Sequence, residues 1–205
     1  MKLLSFSGKR ILISPFLPWE RKSNDALKIS CFGVFRPSHI TTKLCIALIE
    51  EELAISSYDS FLDVGCGSGI FALVAAKEGI PLVVGVDLSF RAVRISRENA
   101  LKNNLTKGVH WINGSIESLS CDFGFIVANL RFHVLKELLD DMVKLMKLNG
   151  CLVISGFQDT EYDDILKLCE GQGLKLRRKV SGDFTFFDVP PSGTFTWMAA
   201  KFTRI

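Results

Sequence analysis

The segment DVGCGSG, residues 63–69, places three glycines directly after a short apolar run, FLDV at 61–64. The apolar run is typical of a buried β-strand, and IFALVAAKEG at 70–79 is typical of a helix that ends at Gly79. Glycines at such a strand-to-helix turn let the backbone bend sharply and approach a ligand closely. The spacing differs from the GxGxxG of dinucleotide loops, because the position that would need the third glycine is Ile70.

The same strand–helix alternation continues along the chain. Strands are predicted at 61–64, 81–87, 109–113, 122–129 and 151–157, and helices at 41–53, 70–79, 89–103, 133–148 and 160–171. Two further strands, within 174–180 and 194–202, have no helix between them, and Pro190-Pro191-Ser192-Gly193 predicts their turn. This order predicts an α/β fold with a doubly wound, mostly parallel, seven-stranded sheet and an antiparallel C-terminal hairpin. We expect residues 1–38 to form an N-terminal arm with short strands, and residues 39–205 to form one domain.

Composition and net charge limit the classes to which this protein can belong. The 205 residues are 48% hydrophobic and 23% charged, which is ordinary for a globular domain. A net charge of +3 makes nucleic acid an unexpected partner. The basic run within 175–179 alternates with apolar residues, as in an edge strand with one solvated face, although phosphate binding is an open alternative.

The apolar runs and the cysteine spacing indicate where the protein is located and the state of its thiols. Neither a signal-peptide core nor a run of about 20 apolar residues is apparent, so we expect a cytoplasmic protein with no membrane partner. The six cysteines form no CxxC pair. We therefore predict reduced thiols and no metal site.

A cofactor site is predicted at the carboxyl ends of the first two strands. Asp87 closes the second strand, where a carboxylate can accept both ribose hydroxyls of a nucleoside. A tight turn and a helix cap are the structural alternatives. With its acidic residue and early third glycine, the segment at 63–69 resembles the DxGxGxG motif of S-adenosylmethionine methyltransferases. The resemblance implies S-adenosylmethionine as cofactor and S-adenosylhomocysteine as product, with Asp63 near the amino-acid end and Ser115 beside the adenine.

Further segments resemble the bacterial methyltransferases that modify the eleventh protein of the large ribosomal subunit. They are CFGVFRPSHITTKLC (31–45), NGSIES (113–118), VANL (127–130) and FLPWE (16–20). The resemblance implies a Rossmann-like methyltransferase fold. Two departures stand out: the 31–45 segment is two residues longer than the family pattern, and the separate N-terminal domain that grips the substrate is expected to be missing. The predicted cofactor-binding residues are Asp63, Gly65, Cys66, Gly67, Gly69, Asp87, Leu88, Ser115, Ile116, Asn129, Thr41 and Thr42.

Asn129 is an unusual residue for the end of a buried strand, IVAN at 126–129. In amino-group methyltransferases this position faces the methyl group, and Asn129 and Leu130 are therefore the predicted catalytic residues. An amide oxygen and nearby carbonyls can accept an amine's hydrogens and direct its lone pair. Asn129 could instead only satisfy backbone groups in a turn. The absence of a following Pro-Pro-Tyr disfavours a glutamine or nucleobase acceptor.

Several other side chains are weaker candidates. His39 and His133 are considered as proton acceptors, with a structural role as the alternative. Phe35, Trp19 and Phe132 are considered as pocket walls, with core packing as the alternative. The phenylalanines within 184–187 are considered as a substrate lid.

The predicted function is transfer of a methyl group from S-adenosylmethionine to a lysine or N-terminal amine of a protein substrate of unknown identity. The alternatives are a methyltransferase for a small-molecule amine and a cofactor-binding module without transfer activity. An RNA methyltransferase is disfavoured by the lack of a basic face.

Overall fold

A central, mostly parallel sheet organises the chain. The computed structural model describes the backbone of residues 2–6 and 9–13, and the backbone and side chains of residues 27–182 and 196–204. The predicted turn at 190–193, the aromatic residues within 184–187, and Trp19 with its FLPWE segment lie outside the described residues.

Strands and helices alternate through most of the described chain. The strands are Lys2–Phe6 (β1), Lys9–Ile13 (β2), Leu27–Ile29 (β3), Ser60–Val64 (β4), Leu82–Asp87 (β5), Val109–Asn113 (β6), Phe123–Asn129 (β7), Met146–Gln158 (β8), Leu174–Gly182 (β9) and Trp197–Arg204 (β10). The helices are Ile40–Leu53 (α1), Ile70–Lys77 (α2), Phe90–Lys102 (α3), Phe132–Lys144 (α4) and Tyr162–Gly171 (α5). Short 3₁₀ turns cover Ile116–Ser118 and Asp159–Glu161.

Seven strands form the main sheet in the order β6-β5-β4-β7-β8-β10-β9. The strands from β4 to β8 pair in parallel, and β10 inserts antiparallel between β8 and β9. The predicted doubly wound seven-stranded sheet is therefore confirmed. The strand that carries the basic run, β9, lies at the edge of the sheet, where solvent covers one of its faces.

Helices pack on both faces of this sheet and bury its alternating side chains. On one face, α1 and α2 contribute Leu48 and Leu73 to a core with Phe61 of β4. On the other face, α4 and α5 contribute Leu139 and Ile165 to a second core. The strands are apolar on both sides because helices cover both sides.

The order of the strands reverses next to β4. From β4 the chain adds β5 and then β6 on one side, and then returns to place β7 on the other side. In open α/β sheets, ligands bind beyond the carboxyl ends of the strands at such a reversal. The turns after β4 and β7 therefore face each other across the expected ligand crevice.

One helix boundary differs from the prediction. The helix predicted to reach residue 148 ends at Lys144, and β8 begins at Met146. Met146 pairs with Phe123 of β7, and Asn149 then adopts a left-handed φ of 60°. The apolar residues 145 and 146 fit a helical pattern equally well, so only the pairing partner decides their conformation.

The N-terminal segment forms a second, small sheet in the order β1-β2-β3. Strands β1 and β2 pair antiparallel, and β2 and β3 pair in parallel. Short strands in this region agree with the predicted arm, while a domain boundary at residue 38 stays a prediction.

All six cysteines lie in the described part of the chain as free thiols, and four of them are buried. Across residues 27–182 and 196–204, no three His, Cys, Asp or Glu side chains come together as a possible metal site. No described helix is long and apolar enough to cross a bilayer.

A buried charged cluster joins α1 to β10. The Lys201 ammonium lies 3.0 Å from a Glu51 oxygen and 2.9 Å from a Glu52 oxygen, and Lys201 is only 4% exposed. The Tyr58 hydroxyl donates to the second Glu52 oxygen at 2.5 Å. The cluster fixes α1 against β10 at the antiparallel end of the sheet. The first turn of α1 lies beside the crevice.

We expect Lys201→Met to lower the free energy of unfolding by about 3–5 kcal/mol, because it leaves the buried Glu52 carboxylate without its cation. Urea denaturation measures the change. Lys147→Met is the matched control, since the Lys147–Asp59 pair is largely exposed and should contribute less than about 1 kcal/mol. Equal losses in the two variants would contradict a structural role for the buried cluster.

Candidate active site

A cavity of about 670 Å³ opens at the carboxyl ends of β4, β5 and β7. This volume falls within the range of about 300–1,000 Å³ that is usual for cofactor and small-molecule sites. The residues that line it are Gly33, Val34, Phe35, His39, Thr41, Val64, Gly65, Gly67, Val86, Asp87, Leu88, Ser89, Ala92, Gly114, Ser115, Ile116, Asn129, Leu130, Arg131, Val134, Leu138, Gly156 and Trp197.

The glycine loop forms one wall of this cavity. Gly65, Gly67 and Gly69 all have left-handed φ angles, between 55° and 75°, which residues with a Cβ rarely adopt. The Gly65 N–H donates to the Val86 carbonyl at 2.9 Å, which ties the loop to β5. Gly69 faces away from the cavity, where a Cβ would lie 2.6 Å from the Trp111 ring. Two of these glycines therefore shape the ligand wall, and the third allows helix–strand packing.

Asp63 lies behind the loop and does not line the cavity. Its Oδ2 accepts from the Ala72 N–H at 3.1 Å, in the first turn of α2, whose N-cap residue Gly69 has no side chain to do so. Its Oδ1 is buried and has no hydrogen-bond partner. Burial raises the pKa of Asp63 to about 7, against the lowering effect of the Ala72 N–H and with a smaller rise from the charge of Asp87.

Asp87 lines the cavity at the end of β5, and its carboxylate also braces the loop. Its Oδ2 accepts from the Gly67 N–H at 3.0 Å, and its Oδ1 accepts from the Ser89 N–H at 2.8 Å. A carboxylate offers about four lone-pair sites, so both oxygens retain acceptor capacity for a ligand. The Asn113 side chain donates to the Asp87 carbonyl at 3.0 Å and fixes this strand end from β6.

The lip opposite the loop consists of Asn129 and Leu130, at the end of β7. The Asn129 Nδ2 donates to the Thr42 Oγ1 at 3.5 Å, and the amide oxygen is the acceptor of this side chain. The Leu130 N–H donates to the Ser155 carbonyl at 3.0 Å. The Leu130 side chain fills the space above Gly65, where a Cβ would lie 2.5 Å from Cδ2. Lip and loop are therefore in direct contact.

His39 caps α1 beside this lip. Its Nδ1 accepts from the Thr41 N–H at 3.3 Å and lies 2.8 Å from the Thr41 hydroxyl. Burial lowers the pKa of His39, which favours the neutral ring near pH 7. A neutral ring that accepts at Nδ1 carries its proton on Nε2, which suits a donor better than a base. The rings of Phe35 and Trp197 lie 5.0 and 5.3 Å from the His39 ring.

The structure brings most of the predicted site residues to the cavity. Those that line it are Thr41, Gly65, Gly67, Asp87, Leu88, Ser115, Ile116, Asn129 and Leu130. Four others, Thr42, Asp63, Cys66 and Gly69, lie behind the wall. Cys66 turns its side chain towards α3, where Sγ lies 3.5 Å from the Ser96 Oγ, and burial raises the pKa of its thiol.

The candidates for proton transfer and for pocket walls divide in the same way. Phe35 lines the cavity, whereas His133 is exposed. Phe132 packs against the core, and the Lys136 ammonium lies over its ring. Sequence reasoning missed Trp197, Arg131 and Gly156. No local pattern marks Gly156 or Trp197, because each reaches the cavity only through the order of the strands, whereas Arg131 directly follows the lip residue Leu130.

The chain is similar to proteins of a known family. The family model described as ribosomal protein L11 methyltransferase (PrmA) matches residues 7–183. A ribosomal protein L11 methyltransferase of Dictyoglomus thermophilum is 32% identical over 185 residues, covering 86% of this chain and 59% of that protein. One of Vibrio campbellii is 36% identical over 166 residues, covering 77% and 54%. The chain spans about half the length of the curated relatives it matches.

Among solved structures, the crystal structure of a ribosomal protein L11 methylase from Lactobacillus delbrueckii subsp. bulgaricus matches with a TM-score of 0.77. It is 21% identical, and the match covers 92% of this chain and 91% of that one. The likeness extends the fold agreement across nearly the whole of both chains.

We expect Asp63→Asn to change how stability depends on pH. Because the folded pKa is about 7 and the unfolded pKa about 3.9, the wild type should lose roughly 1.4 kcal/mol of unfolding free energy per pH unit between them. Below pH 4 both states are protonated, and above pH 7 both are ionised, so the loss is confined to that window.

The check is urea denaturation of ligand-free protein at several pH values. The Asn variant should lack this slope, and should therefore gain stability relative to the wild type as the pH rises from 4 to 7. Parallel pH profiles for the two proteins would contradict a buried, proton-binding Asp63.

Proposed function

The chain belongs to the ribosomal protein L11 methyltransferase family, and we propose that it transfers a methyl group from S-adenosylmethionine to an amine of a protein. The observation that carries this proposal is the position of Asn129. Its amide lies at the lip of the cavity, opposite the glycine loop, with its Nδ2 turned towards Thr42. A fixed amide oxygen at this place can accept from an amine and orient it.

The chemistry of the wall fits S-adenosylmethionine. A carboxylate, Asp87, lies at the strand end where a ribose would bind, and Ser115 and Ile116 follow β6 on the same side. Glycine backbone at 65 and 67 allows a ligand to approach closely. We assign Gly65, Gly67, Asp87, Leu88, Ser115, Ile116 and Thr41 to direct contact with the cofactor. Asp63, Cys66 and Gly69 support the loop from behind.

The chain's own contribution to transfer is positioning. The bound cofactor supplies a methyl group on a positively charged sulfur, which needs little acid catalysis. A free lysine amine has a pKa of about 10.4 and is protonated at pH 7, and burial in the cavity lowers that value. The Asn129 Oδ1 and the Leu130 carbonyl then accept the amine's hydrogens and direct its lone pair. Thr42 acts as a positioning residue because it orients the Asn129 amide.

The mouth of the cavity favours a protein acceptor over a small amine. Phe35 and Leu88 line the cavity, yet they are 54% and 78% exposed. Phe32 and Phe90, which adjoin lining residues, are 86% and 70% exposed. Clustered exposed apolar side chains beside a pocket are typical of a surface that contacts another macromolecule. The exposed arginines 36, 91 and 131 around this mouth suit an acceptor with acidic groups.

We expect Asp87→Ala to remove recognition of the ribose hydroxyls. Wild-type protein should bind S-adenosylhomocysteine at least about tenfold more tightly than its 2′,3′-dideoxy analogue, since a charge-assisted hydrogen bond contributes about 1.5–3 kcal/mol. The variant should bind both ligands weakly and about equally. Titration calorimetry measures all four affinities.

This comparison separates ribose contact from damage to the loop. Asp87 also accepts from the Gly67 and Ser89 N–H groups, so its loss alone could disturb the loop. A variant that binds more weakly but still prefers the natural ribose would exclude a direct contact.

Asn129→Ala should lower the rate of methyl transfer by roughly 100-fold or more, because positioning supplies most of the rate. Its affinity for S-adenosylhomocysteine should stay within about threefold of wild type. Thr42→Val, which removes only the orienting hydroxyl, should give a smaller loss of rate. A wild-type rate for Asn129→Ala would leave Asn129 as a turn residue only.

The acceptor is identified by labelling. Purified protein and radiolabelled S-adenosylmethionine are added to a lysate of cells lacking the gene, and protein, RNA and small-molecule fractions are separated. A discrete labelled protein that disappears with Asn129→Ala supports the proposed function. Label in small molecules alone would support the small-amine alternative. Cofactor binding with no label in any fraction would identify a binding module.

A further inference from the structure

Gly156 occupies an irregular point of β8 that directly adjoins the lip. It has a φ of 95°, although it lies inside a strand that runs from Met146 to Gln158. Opposite it, β10 pairs Met198 with Phe157 and Ala199 with Ser155, so Gly156 is the extra residue of a β-bulge. The Ser155 hydroxyl donates to the Met198 carbonyl at 2.7 Å and fixes this bulge from below. Bulges beside active sites commonly redirect a neighbouring group.

The group next to this bulge is the Leu130 peptide. A Cβ on Gly156 would lie 3.0 Å from the Leu130 nitrogen, 2.6 Å from its carbonyl carbon and closer still to its oxygen. Contacts under 3.0 Å to backbone are not tolerated, so any side chain at 156 would displace the Leu130 carbonyl. The Leu130 N–H is meanwhile held by the Ser155 carbonyl at 3.0 Å. The Leu130 carbonyl can therefore keep its direction only because residue 156 is a glycine and has no Cβ.

Both Gly156 and Leu130 line the cavity, beside Asn129. We propose that Gly156 is a positioning residue that holds the Leu130 carbonyl as a second acceptor for the amine, paired with the Asn129 amide oxygen. The proposal rests on the proposed function, because it assigns a role at the same site. It gives β8 and β10, which carry no predicted catalytic residue, control over the geometry of transfer.

Sinefungin tests this without knowledge of the acceptor. In sinefungin a carbon that bears an amine replaces the methylated sulfur of the cofactor, so its amine probes the acceptors at the transfer point. S-adenosylhomocysteine lacks that amine and reports on the rest of the site. Wild-type protein should prefer sinefungin, and Gly156→Ala should reduce that preference by about tenfold or more, as expected for the loss of a charge-assisted hydrogen bond. Its affinity for S-adenosylhomocysteine should stay within about threefold.

Gly79→Ala is the matched control. Gly79 has a φ of 90°, so alanine there carries a similar backbone strain, yet nothing lies within 4 Å of the added Cβ. It should lose only the thermal stability that the backbone strain costs and keep the full preference for sinefungin. If Gly156→Ala does not fold, Ser155→Ala loosens the same bulge without adding atoms, and it should weaken sinefungin binding selectively.

The outcomes are distinct. A Gly156→Ala protein, or the Ser155→Ala protein in its place, that keeps the wild-type preference would overturn the proposal. So would an equal loss for both ligands, or a wild-type protein without any preference. Failure of the wild type to bind either ligand would instead refute the proposed function itself.

Discussion

The turn from β4 into α2 must run through left-handed backbone while Asp63 caps the helix from inside the strand. The Asp63 carboxylate replaces the cap that Gly69 lacks, and it does so from a buried position, 3.1 Å from the Ala72 N–H. This constraint fixes the residue at which α2 begins and the position of the glycine loop before it. The loop then hydrogen-bonds to Val86 and Asp87 of β5, so this wall of the cavity is tied to two neighbouring strands.

The opposite wall depends on close contacts that only glycine residues allow. Leu130 lies between two glycines: its side chain fills the space above Gly65, and its carbonyl rests against Gly156. Three strands, β4, β7 and β8, therefore converge on one residue. The arrangement links the glycine loop to the lip, so that a shift in either strand end would change the distance between the two walls of the cavity.

Prediction from the sequence succeeded where the pattern is local. The strand β6 was placed residue for residue, and Ser89 caps α3 as expected, accepting from the Ala92 N–H at 3.4 Å. Prediction failed at residues 145–148, where the apolar Leu145 and Met146 fit a helical pattern as well as a strand. The sequence also assigned Thr42 to the cofactor; its hydroxyl accepts from the Asn129 amide, and contact with the cofactor stays a prediction. It gave no role to Trp197, which reaches His39 from the last strand.

The sequence by itself determined the alternation of strands and helices, the glycine turn and the polar residues at strand ends, because these depend on neighbours a few positions apart. Only the tertiary structure decided which of those residues meet. Asn129 faces the loop because β7 returns to the far side of β4, and Gly156 contacts Leu130 because β8 pairs with β7 in a particular register. Register and strand order arise from packing across the whole sheet, which no local pattern encodes.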